Sequence, residues 1–396
     1  MPLVAAKLAE VGQLLGYLRD SFERLRADAY PNLAERLRLR LEQLDAVGRD
    51  AVALEAAFDG YLPPTDPALD TWPQLFARLR SLTSGVQSVR AVELPAYLSG
   101  LPEEAFFAAI FEALHREIGL IDVYPVVSLH QPHWFAVLKV QMTHPLYLVP
   151  DSLAAHPGEL PLLFHEIGHV LFRLWAPDLP QHTFDVLGDT YQRKLGEILL
   201  ITDQHVRNDM LSALNAWGAL VPNQLEELVC DVVGALLGGP AFAVTLAVGL
   251  FITDTAPFDY AQSGLYPPLD CRLRIGGIVL RRQGLDDRRL AEIEEGWARV
   301  CAIPGTTPPR FYRWLYDDTL LEDMVAAVAV FLLGKGVQLY RAGCGGLRER
   351  LDEGATARLA DAATYRSWAT AFAAALRRDY SSSQSSSLPP SSGSSA

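Results

Sequence analysis

The chain has 396 residues, and 34 basic against 47 acidic side chains leave a net charge of −13, with half of all residues hydrophobic and a fifth charged. This is a globular composition near the upper size for one core, and its acidic balance lacks the basic face that broad binding to nucleic acid or to an anionic membrane requires. Four separated cysteines without a CxxC pair indicate neither a disulfide framework nor a zinc ribbon, and fit a reduced, cytoplasmic chain.

In chain order, Leu8, Val11, Leu14, Leu15, Leu18, Phe22 and Leu25 recur at helical spacing, as do Leu33, Leu37, Leu41 and Leu44 after Pro31. They predict a helical hairpin as an N-terminal packing layer. Charged residues from Lys7 to Arg26 interrupt this stretch, so no signal peptide is expected. The prolines of Tyr61–Pro67 mark a loop. Between Ile121 and Pro150, the segments VYPVVSL, WFAVLKVQM and PLYLVP are short and rich in β-branched or aromatic residues, which predicts a small sheet. Helical patterns return afterwards, with breaks expected at Pro177, Pro222, Pro240, Pro267-Pro268 and Pro304. Val232–Thr253 is uncharged and nominally long enough to cross a bilayer. Gly238-Gly239-Pro240 divides it into two short helices, so a membrane span is not expected. The serine-rich residues 381–396 hold too little apolar surface to order themselves.

The strongest chemical signal is His165-Glu166-Ile167-Gly168-His169, an HExxH pattern in a segment that reads as helix on both flanks. One helical turn separates the two histidines, so both imidazoles can reach one cation while Glu166 points beside them, toward the water that a metal activates. A third ligand is needed. The glycine and third ligand of the metzincin extension are absent, since Phe172 and Trp175 stand in those places. A second helix, VPNQLEELVCDVVGALLGG, starts in this reading with Asn223 as N-cap and Glu226 reaching back to it. Glu227 and Asp231 then remain as an ExxxD pair on one face of a mostly apolar helix. His182 and His205 are alternative third ligands, and Cys230 points about 100° away from Glu227, as a buried structural thiol would.

HExxH followed by ExxxD resembles the gluzincin metallopeptidases. The 58 residues from His169 to Glu227, and the similarity of Tyr266-Pro267-Pro268-Leu269-Asp270-Cys271-Arg272 to an HPxxxxR element, make the HtpX and CAAX prenyl protease family the closest in pattern. The resemblance covers roughly residues 145–280. It departs from that family in having tyrosine for histidine at position 266 and no evident membrane spans, and all nine histidines lie between His115 and His205. The resemblance implies zinc held by His165, His169 and Glu227, with Asp231 orienting the His165 ring. It further implies Glu166 as general base, Tyr266 or Arg272 as the donor to the oxyanion, with Tyr260 in reserve, and PLYLVP as the edge strand beside the substrate.

The expected fold is α+β and mostly α-helical, a zincin-like core with a small sheet before the HExxH helix. Residues 1–95 form an N-terminal helical region, 96–350 the metallohydrolase domain, 351–380 a C-terminal helical segment and 381–396 a disordered tail. The expected function is zinc-dependent hydrolysis of peptide bonds in a peptide or protein substrate, without nucleic-acid or membrane partners. A zinc hydrolase of another amide or ester, and a regulatory protein with structural zinc, are the competing classes.

Overall fold

A computed structural model describes residues 2–27, 31–61, 71–89, 102–130, 136–138, 145–150, 153, 157–251, 257–259, 266–284, 287–301, 307–360 and 362–381. Among the described residues it is mostly helical, with one small three-stranded sheet. Two compact units divide the chain. One holds the residues up to Ala108 together with Tyr124–Leu129, and the other holds Ala109–Val123 and His130–Ser382.

In the first unit α1 (Pro2–Ala27) and α2 (Pro31–Asp59) form the hairpin that the leucine spacing predicts, and α3 (Trp72–Ser88) packs on both. Leu8 of α1, Leu54 and Phe58 of α2 and Leu79 of α3 bury a common cluster, with Leu75 and Leu82 packed against it. All of the loop expected at 61–67 except Tyr61, and all of the serine-rich tail except Ser381, lie outside the described residues.

Helix α4 (Pro102–Glu117) leads to strands β1 (Val126–His130), β2 (Ala136–Leu138) and β3 (Leu146–Pro150), which form a sheet in the order β1-β3-β2. β2 and β3 run antiparallel, with Ala136 opposite Leu148 and Leu138 opposite Leu146. The expectation that PLYLVP is the edge strand is therefore corrected: β3 is central. Leu146, Tyr147 and Val149 are all buried, the near-continuous apolar run of a strand covered on both faces, whereas Ala136 and Val137 of β2 keep partial exposure.

A 3-10 turn at Pro157–Leu162 runs directly into α5 (Leu163–Leu174), the HExxH helix. It is followed by α6 (Asp178–Leu199), α7 (Gln204–Phe251), α8 (Leu269–Arg282), α9 (Asp287–Cys301), the single turn α10 (Tyr312–Leu315), α11 (Asp318–Gly334), α12 (Gly346–Ala360) and α13 (Ala362–Ser381). Helix α7 is the hub, packing against α5, α6, α8, α9, α11 and α12.

The break expected at Gly238-Gly239-Pro240 is present, because Gly239 takes φ 56° and ψ −140°, a conformation that favours glycine. The break expected at Pro222 is not. Helix α7 passes through Pro222 and Asn223 without interruption, so Asn223 is no N-cap and Glu226 closes no capping box. Tertiary burial explains the difference. Trp217, Val221, Gln224, Leu225 and Leu228 form one buried stripe across the proline, while Pro222 itself faces solvent, where water can satisfy the carbonyl it leaves unpaired. Residues 204–248 of α7 are long and apolar enough to cross a membrane, but their most apolar window is wholly buried inside the fold.

Candidate metal and catalytic site

The site forms where α5 crosses α7 at Gly168. A Cβ at this position would lie 2.7 Å from Cys230 Cα and 3.0 Å from Cys230 Cβ, closer than real side chains approach. Only glycine lets the two backbones meet so closely, and the contact sets the histidines of α5 against the carboxylates of α7.

The two imidazoles lie 5.0 Å apart between ring centroids and at 80° to each other. His165 Nε2 is 3.2 Å from Glu227 Oε2, and His169 Nε2 is 3.5 Å from Glu227 Oε1. The other ring nitrogens face away, toward separate carboxylates. His165 Nδ1 lies 3.0 Å from Asp231 Oδ1, and His169 Nδ1 lies 3.0 Å from Glu226 Oε1. Engagement of each Nδ1 leaves both Nε2 atoms directed at the one carboxylate between them.

The arrangement suits a cation. Glu227 Oε2 is buried and makes no hydrogen bond among the described residues, a costly state for a carboxylate unless positive charge is close. Burial alone would lower the His165 pKa, yet the hydrogen bond to Asp231 and the nearby Glu227 carboxylate overcome it and raise it to about 10. The site thus favours positive charge, which a divalent ion bound by two neutral imidazoles and a carboxylate supplies.

Cys230 is a second candidate donor, because its sulfur and one ligand atom from each histidine all lie within 4.8 Å of one another. Its thiol is completely buried, and burial, then the charge of Glu227, pushes its pKa well above the ordinary thiol range. Glu227 is the better-placed candidate, since its two oxygens face the two Nε2 atoms. His182 and His205 are both exposed and belong to no ligand cluster among the described residues. His133, His144, His156 and Tyr260 lie outside the described residues, as does the side chain of His130.

Glu166 is buried beside the two histidines. Burial raises its pKa, the two imidazoles lower it, Glu227 raises it again, and a backbone hydrogen bond from Val137 of β2 lowers it. The net shift is upward, which makes its carboxylate a stronger proton acceptor than an exposed one. Tyr266, half exposed, feels the Glu227 charge, and burial followed by that charge raises its phenol pKa, so the hydroxyl keeps its proton for donation.

Arg272 is placed differently from the expected oxyanion donor. Its Nε and Nη2 make hydrogen bonds of 2.7 and 2.9 Å to Asp231. Its fork is spent on the carboxylate that holds His165: burial raises the Asp231 pKa, but Arg272 and His165 together outweigh burial and bring it down to about 2.

Two features escaped the sequence reading. Glu226 holds His169 and is itself gripped by Arg173, one turn after His169 on α5. The pairing of His169 and Arg173 at helical spacing was a signal available in the sequence. The second feature is His115 on α4, which is fully buried. Burial lowers its pKa to about 4, so its Nδ1–H donates to Val123 O at 3.1 Å while Tyr147 of β3 donates its hydroxyl to Nε2 at 3.0 Å. This bond ties β3 to α4, and no sequence motif announces it.

Comparison of the chain with protein-family models, with curated proteins and with solved structures gives no match in any of the three.

Proposed function

We propose that the protein is a zinc-dependent metallopeptidase of gluzincin type. The observation that supports this reading is the convergence of His165 Nε2, His169 Nε2 and both Glu227 oxygens, with each imidazole braced from behind through Nδ1. When bound, zinc would lower the pKa of water toward neutrality and polarise the scissile carbonyl.

His165, His169 and Glu227 would hold the ion, and Asp231, backed by Arg272, keeps the His165 ring turned toward it. Glu166 takes a proton from the attacking water and passes it to the leaving amine. Tyr266 donates its hydroxyl hydrogen bond to the developing oxyanion. The link between Val137 and Glu166 puts the partly exposed strand β2 beside the base, which suits a substrate with an extended backbone such as a peptide.

The test is incubation of pure wild-type and Glu166→Gln protein with a diverse peptide library, followed by mass spectrometry and zinc analysis. Wild type is expected to cleave. Glu166→Gln is expected to lose turnover by roughly 10²–10⁴-fold while keeping its zinc. Wild-type protein that holds zinc but cleaves no peptide overturns the peptidase reading, and turnover limited to small amides moves the activity to a non-peptide substrate.

A further inference from the structure

We infer that Glu226 and Arg173 form a positioning pair that sets the orientation and tautomer of His169, and through it the metal affinity of the site. This rests on the metal reading above and adds to it two residues that neither bind the metal nor move a proton.

An imidazole that presents Nε2 to a cation must keep its proton on Nδ1, and whatever accepts that proton's hydrogen bond fixes both tautomer and ring plane. Glu226 Oε1, 3.0 Å from His169 Nδ1, is that acceptor. Glu226 is adjacent in sequence to Glu227, so two carboxylates flank His169, one at each ring nitrogen, and repel each other. Arg173 offsets this repulsion. Its Nη2 lies 2.8 Å from Glu226 Oε2 and 3.1 Å from Oε1, and its Nε lies 3.3 Å from Oε1. His169 and Arg173, four residues apart on α5, thus converge on one carboxylate of α7. An ordinary surface ion pair between helices would join Arg173 to Glu226 without engaging the ring nitrogen. Here the same oxygen, Oε1, serves both the guanidinium and the imidazole.

The experiment is a zinc titration of the full chain against a competing chromophoric chelator, using wild type, Glu226→Ala, Glu226→Gln, Arg173→Ala and the Glu226→Ala/Arg173→Ala double variant, with thermal melts of the zinc-free proteins alongside. Glu226→Ala is expected to weaken zinc about 10- to 100-fold. Glu226→Gln, whose amide oxygen can still accept from Nδ1, is expected to recover most of that loss. Arg173→Ala alone is expected to weaken zinc by a smaller factor, and to have no further effect once Glu226 is gone, as for residues acting in series. A purely structural ion pair would lower melting temperatures and leave zinc affinity untouched. Wild-type affinity in Glu226→Ala, or equal losses in Glu226→Ala and Glu226→Gln, overturns the inference. If Glu226→Ala does not fold, Arg173→Ala decides, and unchanged affinity there overturns it. Wild-type protein that takes up no zinc sinks the metal reading and this inference together, whereas zinc held equally by wild type and Glu226→Ala sinks this inference alone.

Discussion

The two imidazoles of the site are braced by pairs that are chemically alike and physically different. Behind His165 stands Asp231, with no exposed side-chain surface, and behind that Arg272, only 13% exposed. Behind His169 stands Glu226, 22% exposed, and behind that Arg173, 35% exposed. Both arms consist of imidazole, carboxylate and guanidinium, so both can hold a ring in one tautomer. Their stakes for folding differ, because breaking a buried ion pair strands a charge away from water, whereas the partners of a partly exposed pair can rehydrate. The inner arm is therefore expected to be indispensable to both fold and site, and the outer arm to matter chiefly to the site.

The sharpest way to break this comparison is Asp231→Ala. It leaves the Arg272 guanidinium buried without its carboxylate, and is expected to cost about 3–5 kcal/mol by urea denaturation of the zinc-free protein. A cost comparable with that of the outer arm would show that Arg272 finds water or another partner, and the contrast would fall.

A cluster centred on Asp317, which makes no bond to the metal-site residues among the described residues, serves as a control. Asp317 caps α11 by accepting from Leu320 N–H at 2.8 Å, and it pairs with Arg193 at 3.0 Å and with the fully buried Lys194 at 2.6 Å. Burial raises the Asp317 pKa, but its bonds to Arg193 and Lys194 outweigh that and depress it below the ordinary value. Its contribution to stability is thus complete above the unfolded carboxylate pKa, about 3.9, and is lost as pH falls through the lower folded value. Asp317→Asn retains a capping side chain but removes the charge that Lys194 needs, and is expected to cost about 2–3 kcal/mol at neutral pH. It is also expected to flatten the acid limb of the stability profile without changing zinc affinity. A change in zinc affinity would mean that loss of stability alone loosens the site, and the two arms would then have to be compared at matched stability.

The smallest expected effect is that of Glu226→Ala on folding, about 1 kcal/mol or less, since both side chains it separates reach solvent. A larger loss would make the outer arm a folding element as well.

Much of the site was legible in the sequence because helical periodicity is local. HExxH on a helix dictates that His165 and His169 share a face, and ExxxD dictates the same for Glu227 and Asp231. The helical hairpin of α1 and α2 and the stop at Gly239 were legible for the same reason, being written in leucine spacing and in a Gly-Gly-Pro triplet. Where local rules and burial compete, the local rule loses. Pro222 and Asn223 carry a helix-start signal, yet the buried stripe from Trp217 to Leu228 holds α7 straight through them.

The sequence by itself determined which candidate ligands and which candidate base share a helical face, since residue type and spacing along one helix fix that much. Tertiary structure alone decided which partner each took. Glu226 became the brace of His169 rather than a cap, Arg272 was drawn to Asp231, 41 residues away in the chain, and PLYLVP became the centre of the sheet instead of its edge. The physical reason is that a charge buried by the fold must find its counter-charge among whatever groups packing brings within about 3 Å. Sequence spacing carries no record of that distance once two helices are involved.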